Sequence, residues 1–358
     1  MSRVWDIPVQ DSTRVRDVRV AAEAASAHVG LDAHATAVAA LVATELATNL
    51  VKHAGGGRVM IEPAGPAHPD PDAAPRVQIT SLDHGPGIAD VAAALRDGST
   101  TARASLGAGL GTCRRVSHEF DLHSAPGRGT VAVARVGRER PSRAASRPRA
   151  GSFRQGVRAG GVTTSLAHAE HSGDACTAVR SGSRVTLMLA DGLGHGAKAA
   201  LASTAAVETL RRHADLPPPE ILRRLHTALR TTRGAAVGVA RLDEDTGRLS
   251  FAGVGNIGAR LRTPGGWQHL VSHPGIVGAH FPATVPVREA DWGPDRLLVL
   301  HSDGLPSRWV PPDDPLLTAH DPAVVAAVIL RDAGSAARPE RDDTCVAVLA
   351  PAPSDGSP

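Results

Sequence analysis

Apolar positions recur at helical spacing over residues 13–28 and 32–53, and at strand spacing over 4–9, 58–62 and 76–82. A Pro-rich loop, 63–75, separates the last two strands. A glycine turn follows, then a segment to about 101 with no period, which reads as mobile. A helix over 109–120 and strands over 121–124 and 130–136 complete this half. The pattern predicts a mixed α/β layer with helices packed on one sheet.

Beyond residue 153 the rhythm changes. Strands are predicted over 177–179, 184–190, 235–243, 248–254, 259–262, 296–302 and 344–349, with helices over 197–212, 218–231 and 322–332. Many strands around few helices predict a sheet sandwich with helical outer layers, so the fold class is α/β of the α+β kind. Between the halves lies GRERPSRAASRPRAGS, rich in Arg, Pro and Ser and without apolar period. It reads as a flexible basic linker, 137–152, dividing a first domain, 1–136, from a second, 153–351, with a frayed tail at 352–358.

Composition narrows the function. In 358 residues aromatics make up 2%, with no Tyr, which leaves no stacking platform for single-stranded nucleic acid. The net charge of +3 is small and much of the basic excess sits in the linker, so no nucleic-acid partner is expected. The three cysteines, Cys113, Cys176 and Cys345, match no zinc or redox spacing, which fits a reducing compartment. The first ten residues hold no apolar signal segment, and no run reads as approaching a membrane span, so a cytoplasmic chain without a membrane partner is expected.

Chemistry enters on the second predicted helix. Val38, Leu41, Val42 and Leu46 form an apolar stripe, and Glu45, Asn49 and His53, at i, i+4 and i+8, fall within it. Polar groups aimed at a core are costly unless satisfied, either by one another or by a ligand. Asp83-His-Gly-Pro-Gly-Ile88 then follows an alternating strand. A carboxylate there can accept a hydrogen bond from an adenine amino group, and Gly85 and Gly87 let the backbone pass close to a ligand. Gly107, Gly109 and Gly111 lead into a helix, which is either a tight turn or an anion cradle.

Taken in this order, ELATNLVKHAGGG, DHGPGI, DGSTTARASLGAGLG and APGRGT resemble the GHKL ATPases. Within them the likeness is to the small serine/threonine kinases of bacterial stress signalling, including the switch kinase of the stressosome. The resemblance implies a two-layer Bergerat-type sandwich that binds ATP and Mg²⁺ and phosphorylates Ser or Thr of a small partner. It makes Asn49 the magnesium holder and Glu45 the general base, and puts His53 in the pocket. Asp83, Gly85 and Gly87 form the adenine box, and Gly107, Gly109 and Gly111 the phosphate lid. Thr130 is either a phosphate contact or an ordinary strand residue. A histidine-kinase reading would need a dimerising helical pair ahead of the pocket, and the domain itself uses the residues before Asn49.

The second half carries acids at turns: Asp174 in Ser-Gly-Asp, Asp191 in Ala-Asp-Gly-Leu-Gly-His-Gly, Asp303 in His-Ser-Asp-Gly, and Asp342-Asp343. Each Asp-Gly alone reads as a turn, whereas several together suit a hard divalent cation. ADGLGHG, Arg233-Gly-Ala-Ala, Gly253-Val-Gly-Asn256, Gly275-Ile-Val-Gly278, HSDG and DDT resemble the PPM-type protein phosphatases of the bacterial sporulation and stress branch. The resemblance implies an α-β-β-α sandwich holding two Mn²⁺ or Mg²⁺. Asp191 would bridge them with the Gly192 carbonyl, and Asp174, Asp303, Asp342 and Asp343 would complete the set. His195 would either protonate the leaving serine oxygen or contact backbone, Glu170 is read as second-shell or surface, and Asn256 as fixing a turn.

Together these imply a bifunctional regulator that phosphorylates, and removes phosphate from, STAS-domain anti-sigma-factor antagonists or stressosome-type scaffolds, with a further phosphatase or sigma-regulatory protein as a second partner. An alternative is an ATP-binding anti-sigma or switch module that transfers no phosphate and gates the phosphatase.

Overall fold

The protein is described by a computed structural model over residues 3–65, 67–70, 73–95, 109–138, 156–306, 308–312, 314–334 and 342–352. The first half begins with β1 (Trp5–Val9), α1 (Thr13–His28) and α2 (Ala33–Asn49). After them come β2 (Gly57–Ala64), β3 (Arg76–Leu82), a short α3 (Val91–Ala94), α4 (Gly109–Val116), β4 (Glu119–Ala125) and β5 (Gly129–Gly137). The strands form one antiparallel sheet, ordered β1-β2-β3-β5-β4. Val18, Ala22, Ala39, Val42, Leu46, Val59, Ile61, Val77, Ile79 and Cys113 make the core between its inner face and α1, α2 and α4.

Asp32 caps α2 by accepting from the Ala35 N–H at 2.8 Å. The helix departs from the sequence reading in two ways. Its buried face runs through Ala35, Ala39, Val42, Ala43, Leu46 and Ala47, while Leu41 is exposed. From Leu50 to Ala54 it widens into a π turn, which ends at Gly55 with φ of 73°. By length and composition Ala33–Ala54 could cross a membrane. Here it is the core helix of the first half, so the reading that no run approached a span is corrected. The expected helix over 109–120 stops at Val116, because Glu119 and Phe120 already pair in β4 with Arg135 and Ala134.

The second half contains β6 (Val157–Thr164), β7 (Asp174–Ser181), β8 (Arg184–Gly192), α5 (Ala197–His213), α6 (Pro218–Leu229), β9 (Ala235–Asp243) and β10 (Arg248–Val254). It continues with β11 (Gly258–Thr263), β12 (Gly266–His269), β13 (Arg288–Asp291), β14 (Leu297–His301), α7 (Pro322–Ala333) and β15 (Thr344–Pro351). Two antiparallel sheets result, β13-β10-β9-β8-β7 and β12-β11-β14-β15-β6. They face each other across Leu187, Leu189, Phe251, Leu261, Leu298 and Leu349. α5 and α6 cover the first of them through Leu210, Ile221 and Leu225.

The two halves share a core. α7 packs on β6 and β15 and, from its other side, on β3, β4 and β5. Met60, Leu82, Val131 and Val133 from the outer face of the first sheet join Val162, Val299 and Val346 around Val324, Val325, Val328 and Ile329 of α7. The layers therefore run α1/α2/α4, first sheet, α7, third sheet, second sheet, α5/α6. The expected two-layer sandwich has a third layer, supplied by the other half of the chain. Burying Val324, Val325, Val328, Ile329 and Leu330 contributes on the order of 10 kcal/mol before the entropy of ordering them. Gly137, the expected first residue of the linker, instead closes β5. Residues 139–152 of the linker, the tail from 353, and the segment 96–108 lie outside the described residues.

A buried ion pair fixes this docking. The Arg135 guanidinium, 1% exposed, donates to Asp321 Oδ2 at 2.6 Å and Oδ1 at 2.9 Å. It also donates to Glu119 at 2.7 Å and Gln78 at 2.9 Å. Asp321 in turn caps α7 through the Ala323 N–H at 2.8 Å. Arg135→Met should cost about 3–5 kcal/mol in urea unfolding, because it strands Asp321 and Glu119 without their cation. A loss below 1 kcal/mol would show that the pair does not hold the halves together.

Candidate functional site

The first cluster gathers at one end of the first sheet. Glu45 and Asn49, four residues apart on α2, lie half-buried along one line. A Cβ placed on Gly109 would stand 4.0 Å from Asn49 Oδ1, so the start of α4 faces that amide. Asn49 Nδ2 is buried and has no hydrogen-bond partner among the described residues. An orphaned amide is costly in a finished core and suits a pocket that expects a ligand. Asp83 ends β3, and its Oδ1 accepts from the Gly85 N–H at 2.8 Å and the Thr130 N–H at 3.1 Å. Oδ2 receives no donor among the described residues. Gly87, with φ of 74°, touches the β4–β5 turn: a Cβ there would lie 2.2 Å from the Ala125 carbonyl.

Two expected members of this pocket are placed differently, and a third falls outside the described residues. His53 falls in the π turn and is exposed, because the wider winding breaks the i, i+4, i+8 line. Thr130 braces Asp83 with its N–H and meets Ser124 through its hydroxyl at 2.8 Å, which puts it beside Asp83 and the β4–β5 turn. Gly107 lies outside the described residues, while Gly109 and Gly111 sit in the first turn of α4.

The second cluster lies where β7 and β8 meet β14 and β15. Asp174 and Asp191 are register partners across β7 and β8. The Asp303 carboxylate accepts from Asn256 Nδ2 at 2.6 Å. Asp342 Oδ1 accepts from the Asp343 N–H at 2.9 Å. Asp343 is occupied differently: its two oxygens accept from the N–H groups of Leu166 and Gly173. It therefore also braces the loop ahead of Asp174. Gly192 is tightly held, since a Cβ would lie 2.3 Å from the Ala199 carbonyl. His195 is exposed in the loop that follows Asp191. Glu170 is also exposed and pairs with Arg3 at 3.4 Å.

Comparison with known proteins finds a separate match in each half of the chain. Residues 9–135 match the model of the histidine kinase-like ATPase domain, and residues 181–351 match that of stage II sporulation protein E, SpoIIE. The chain joins a histidine kinase-like ATPase domain to a SpoIIE phosphatase domain. The serine/threonine-protein kinase RsbT of Bacillus subtilis (strain 168) is 38% identical over 88 residues, 24% of this chain and 61% of that protein. The chain thus spans less than two thirds of this relative's length.

Among solved structures, a chain from "The bacterial stressosome: a modular system that has been adapted to control secondary messenger signaling" is 26% identical. It covers 54% of this chain and 98% of its own, with a TM-score of 0.47. RsbX in complex with magnesium is 19% identical, covers 54% and 94%, and has a TM-score of 0.45. The PP2C phosphatase domain of SpoIIE from Bacillus subtilis, with a fragment of its regulatory domain, is 15% identical, covers 77% and 79%, and has a TM-score of 0.46.

In the SpoIIE domain, burial and the neighbouring carboxylates Asp303 and Asp342 push Asp191 up to about 7. Asp174 is raised well above the usual carboxylate value by its own burial and by Asp191. Asp303 is raised by burial and by Asp342. Acids converging with one sign of charge and only oxygen donors fit a hard divalent cation. Among the described residues no three His, Cys, Asp or Glu side chains stand close enough to hold an ion as they are. Two further supports escaped the sequence reading. Ser302 bonds the Asp174 carboxyl, and Asn256, read there as fixing a turn, holds Asp303. In the ATPase domain, burial raises Asp83, opposed by its two backbone donors.

The Asp191 shift sets a pH dependence. Without metal, the folded chain holds a proton on Asp191 that the unfolded chain releases. The resulting stability is fully present below the usual value of 3.8 and is lost as pH rises through about 7. The melting temperature in chelator should therefore fall between about pH 4 and 7. Asp191→Asn should flatten that fall in part, since buried Glu62, also near 7, contributes alongside. A slope unchanged by the substitution would remove Asp191 from the cluster.

Proposed function

We propose that the chain is a bifunctional, cytoplasmic regulator in a bacterial stress or sigma-factor partner-switching pathway. The ATPase domain phosphorylates Ser or Thr of a partner protein, and the SpoIIE domain removes that phosphate. The observation that carries the reading is the pair of separate clusters. One is an orphaned amide one helical turn from Glu45 and facing a helix start, and the other is a set of mutually repelling acids.

In the first, Asn49 would hold Mg²⁺ on the ATP phosphates, and the start of α4 at Gly109 would offer N–H groups to them. Asp83 Oδ2 accepts from the adenine amino group. Glu45 orients or deprotonates the acceptor hydroxyl, in a transfer that rests mainly on positioning and charge. In the second, Asp174, Asp191, Asp303 and Asp342, with the Gly192 carbonyl, would hold two Mn²⁺ or Mg²⁺. When bound, such ions supply a hydroxide nucleophile at neutral pH and neutralise phosphate charge. His195, exposed beside this cluster, donates the proton to the departing serine or threonine oxygen. A cavity of about 440 Å³, lined by Leu193, Ala236, Asn256, Ser272 and Ile276, adjoins Asp303 and receives the chain around the phosphorylated residue.

The partners that fit are STAS-domain anti-sigma-factor antagonists or stressosome-type proteins, by analogy with RsbT and the stressosome structure. A second reading, an ATP-binding switch module that gates the phosphatase without transferring phosphate, is favoured by one feature: α7 packs on both domains at once.

Incubation with ATP, Mg²⁺ and a STAS-domain protein should place phosphate on that protein, and added Mn²⁺ should then remove it. Asn49→Ala should abolish the first step and Asp191→Ala the second, each by at least about a hundredfold. Nucleotide binding without transfer would select the switch module. Removal undiminished in Asp191→Ala would refute the acid cluster as the phosphatase centre.

A further inference from the structure

The last turn of α7, an element of the phosphatase domain, sits under the adenine side of the ATPase pocket. His84 Nε2, next to Asp83, lies 3.3 Å from the Arg331 carbonyl oxygen. Arg128 Nη2 donates to Asp332 Oδ2 at 2.7 Å. Arg128 belongs to the β4–β5 turn, which grips Asp83 from the other side: the Gly127 N–H donates to the Pro86 carbonyl at 2.8 Å, and a Cβ on Gly129 would lie 2.1 Å from the Asp83 carbonyl. Both segments that embrace Asp83 thus rest on Arg331 and Asp332.

Arg331 itself is 2% exposed. Its Nε donates to Asp332 Oδ1 at 2.8 Å, while Nη1 and Nη2 are buried without partners among the described residues. A buried cation with two unmade hydrogen bonds is costly, and in a low-dielectric interior its charge reaches further than in water. That charge falls on Asp83 and favours its ionised form, the form that accepts from an amino group. Along its length the same helix packs closely on β6, where a Cβ on Gly160 would lie 2.7 Å from the Ala323 nitrogen, and on β15. β15 begins directly after the Asp342–Asp343 pair.

We infer that the nucleotide site is a composite of both domains, in which Arg331 of α7 positions the Asp83 loop, and α7 transmits nucleotide occupancy to the sheet that carries Asp342 and Asp343. This rests on the ATP-binding reading above and adds the residue and the route. Arg331 acts through Asp83 and its loop and does not touch the nucleotide. A close-packed helix held at both ends moves as a unit, so a sub-ångström shift at Asp83 is passed on and not absorbed.

The test uses the full chain, excess Mn²⁺, p-nitrophenyl phosphate as the phosphatase probe and a non-hydrolysable ATP analogue, with nucleotide saturation followed by calorimetry. The analogue should change the hydrolysis rate by about fivefold or more, within the usual range of coupling between sites. Arg331→Met should abolish that change and leave nucleotide-free hydrolysis unaltered, and Arg331→Lys should restore part of it, which a merely structural role would not do. If Arg331→Met fails to fold, Arg128→Ala, which removes an exposed pair to the same turn of α7, should weaken the coupling. Saturation by nucleotide with no change of rate in the natural protein overturns the inference and leaves ATP binding standing. No nucleotide binding at all overturns the ATP reading and the inference with it. Coupling that survives in both Arg331→Met and Arg128→Ala overturns the assigned route.

Discussion

The Arg135–Asp321 pair decides how the molecule is organised. A guanidinium buried in the middle of a sheet needs its carboxylate partners, and one of these is the capping residue of a helix nearly two hundred positions away in the chain. Once that pair forms, α7 must lie flat on the outer face of the ATPase sheet. The apolar groups of that face, Met60, Leu82, Val131 and Val133, then have a partner. The phosphatase sandwich in turn gains its second helical layer from the same helix. The pair supplies direction and register, and the surrounding Val, Ile and Leu side chains supply most of the favourable energy.

Much of the fold could be read from periodicity. α1, β3, β9 and β10 fall where the pattern puts them, because each has one wet face and one dry face or is flanked by clear turn residues. β6 was missed because Gly160 and Gly161 interrupt it and it follows the basic stretch directly. β12 and β13 are short edge strands, mostly polar and exposed, with little alternation to detect. Leu41 and His53 depart from the expected face for different reasons: the buried face of α2 is centred on its alanines, which leaves Leu41 outside it, and the winding changes at Leu50, which turns His53 away.

The sites were legible in type, and their supports were not. Asp-Gly turns and glycine-rich boxes stand out locally, so Asp83, Asp174, Asp191 and Asp303 could be named from the chain. What they lean on comes from distant segments: Asn256 for Asp303, Ser302 for Asp174, Arg331 beside Asp83. Asp343 looked like its neighbour Asp342 until its two backbone donors appeared. The shared core does leave a signal in the sequence. The apolar run Val131–Ala134 does not alternate as a strand with a wet face would, and PAVVAAVIL is apolar all round. Both patterns announce elements covered on two sides.

The shared helix also fixes proportion. Domains on separate chains can be tuned by making more of one and less of the other. Here both domains stand on one chain and share a helix, so synthesis delivers the two sites one to one. Any bias between them has to come from ligands, ions or partners acting on the finished molecule.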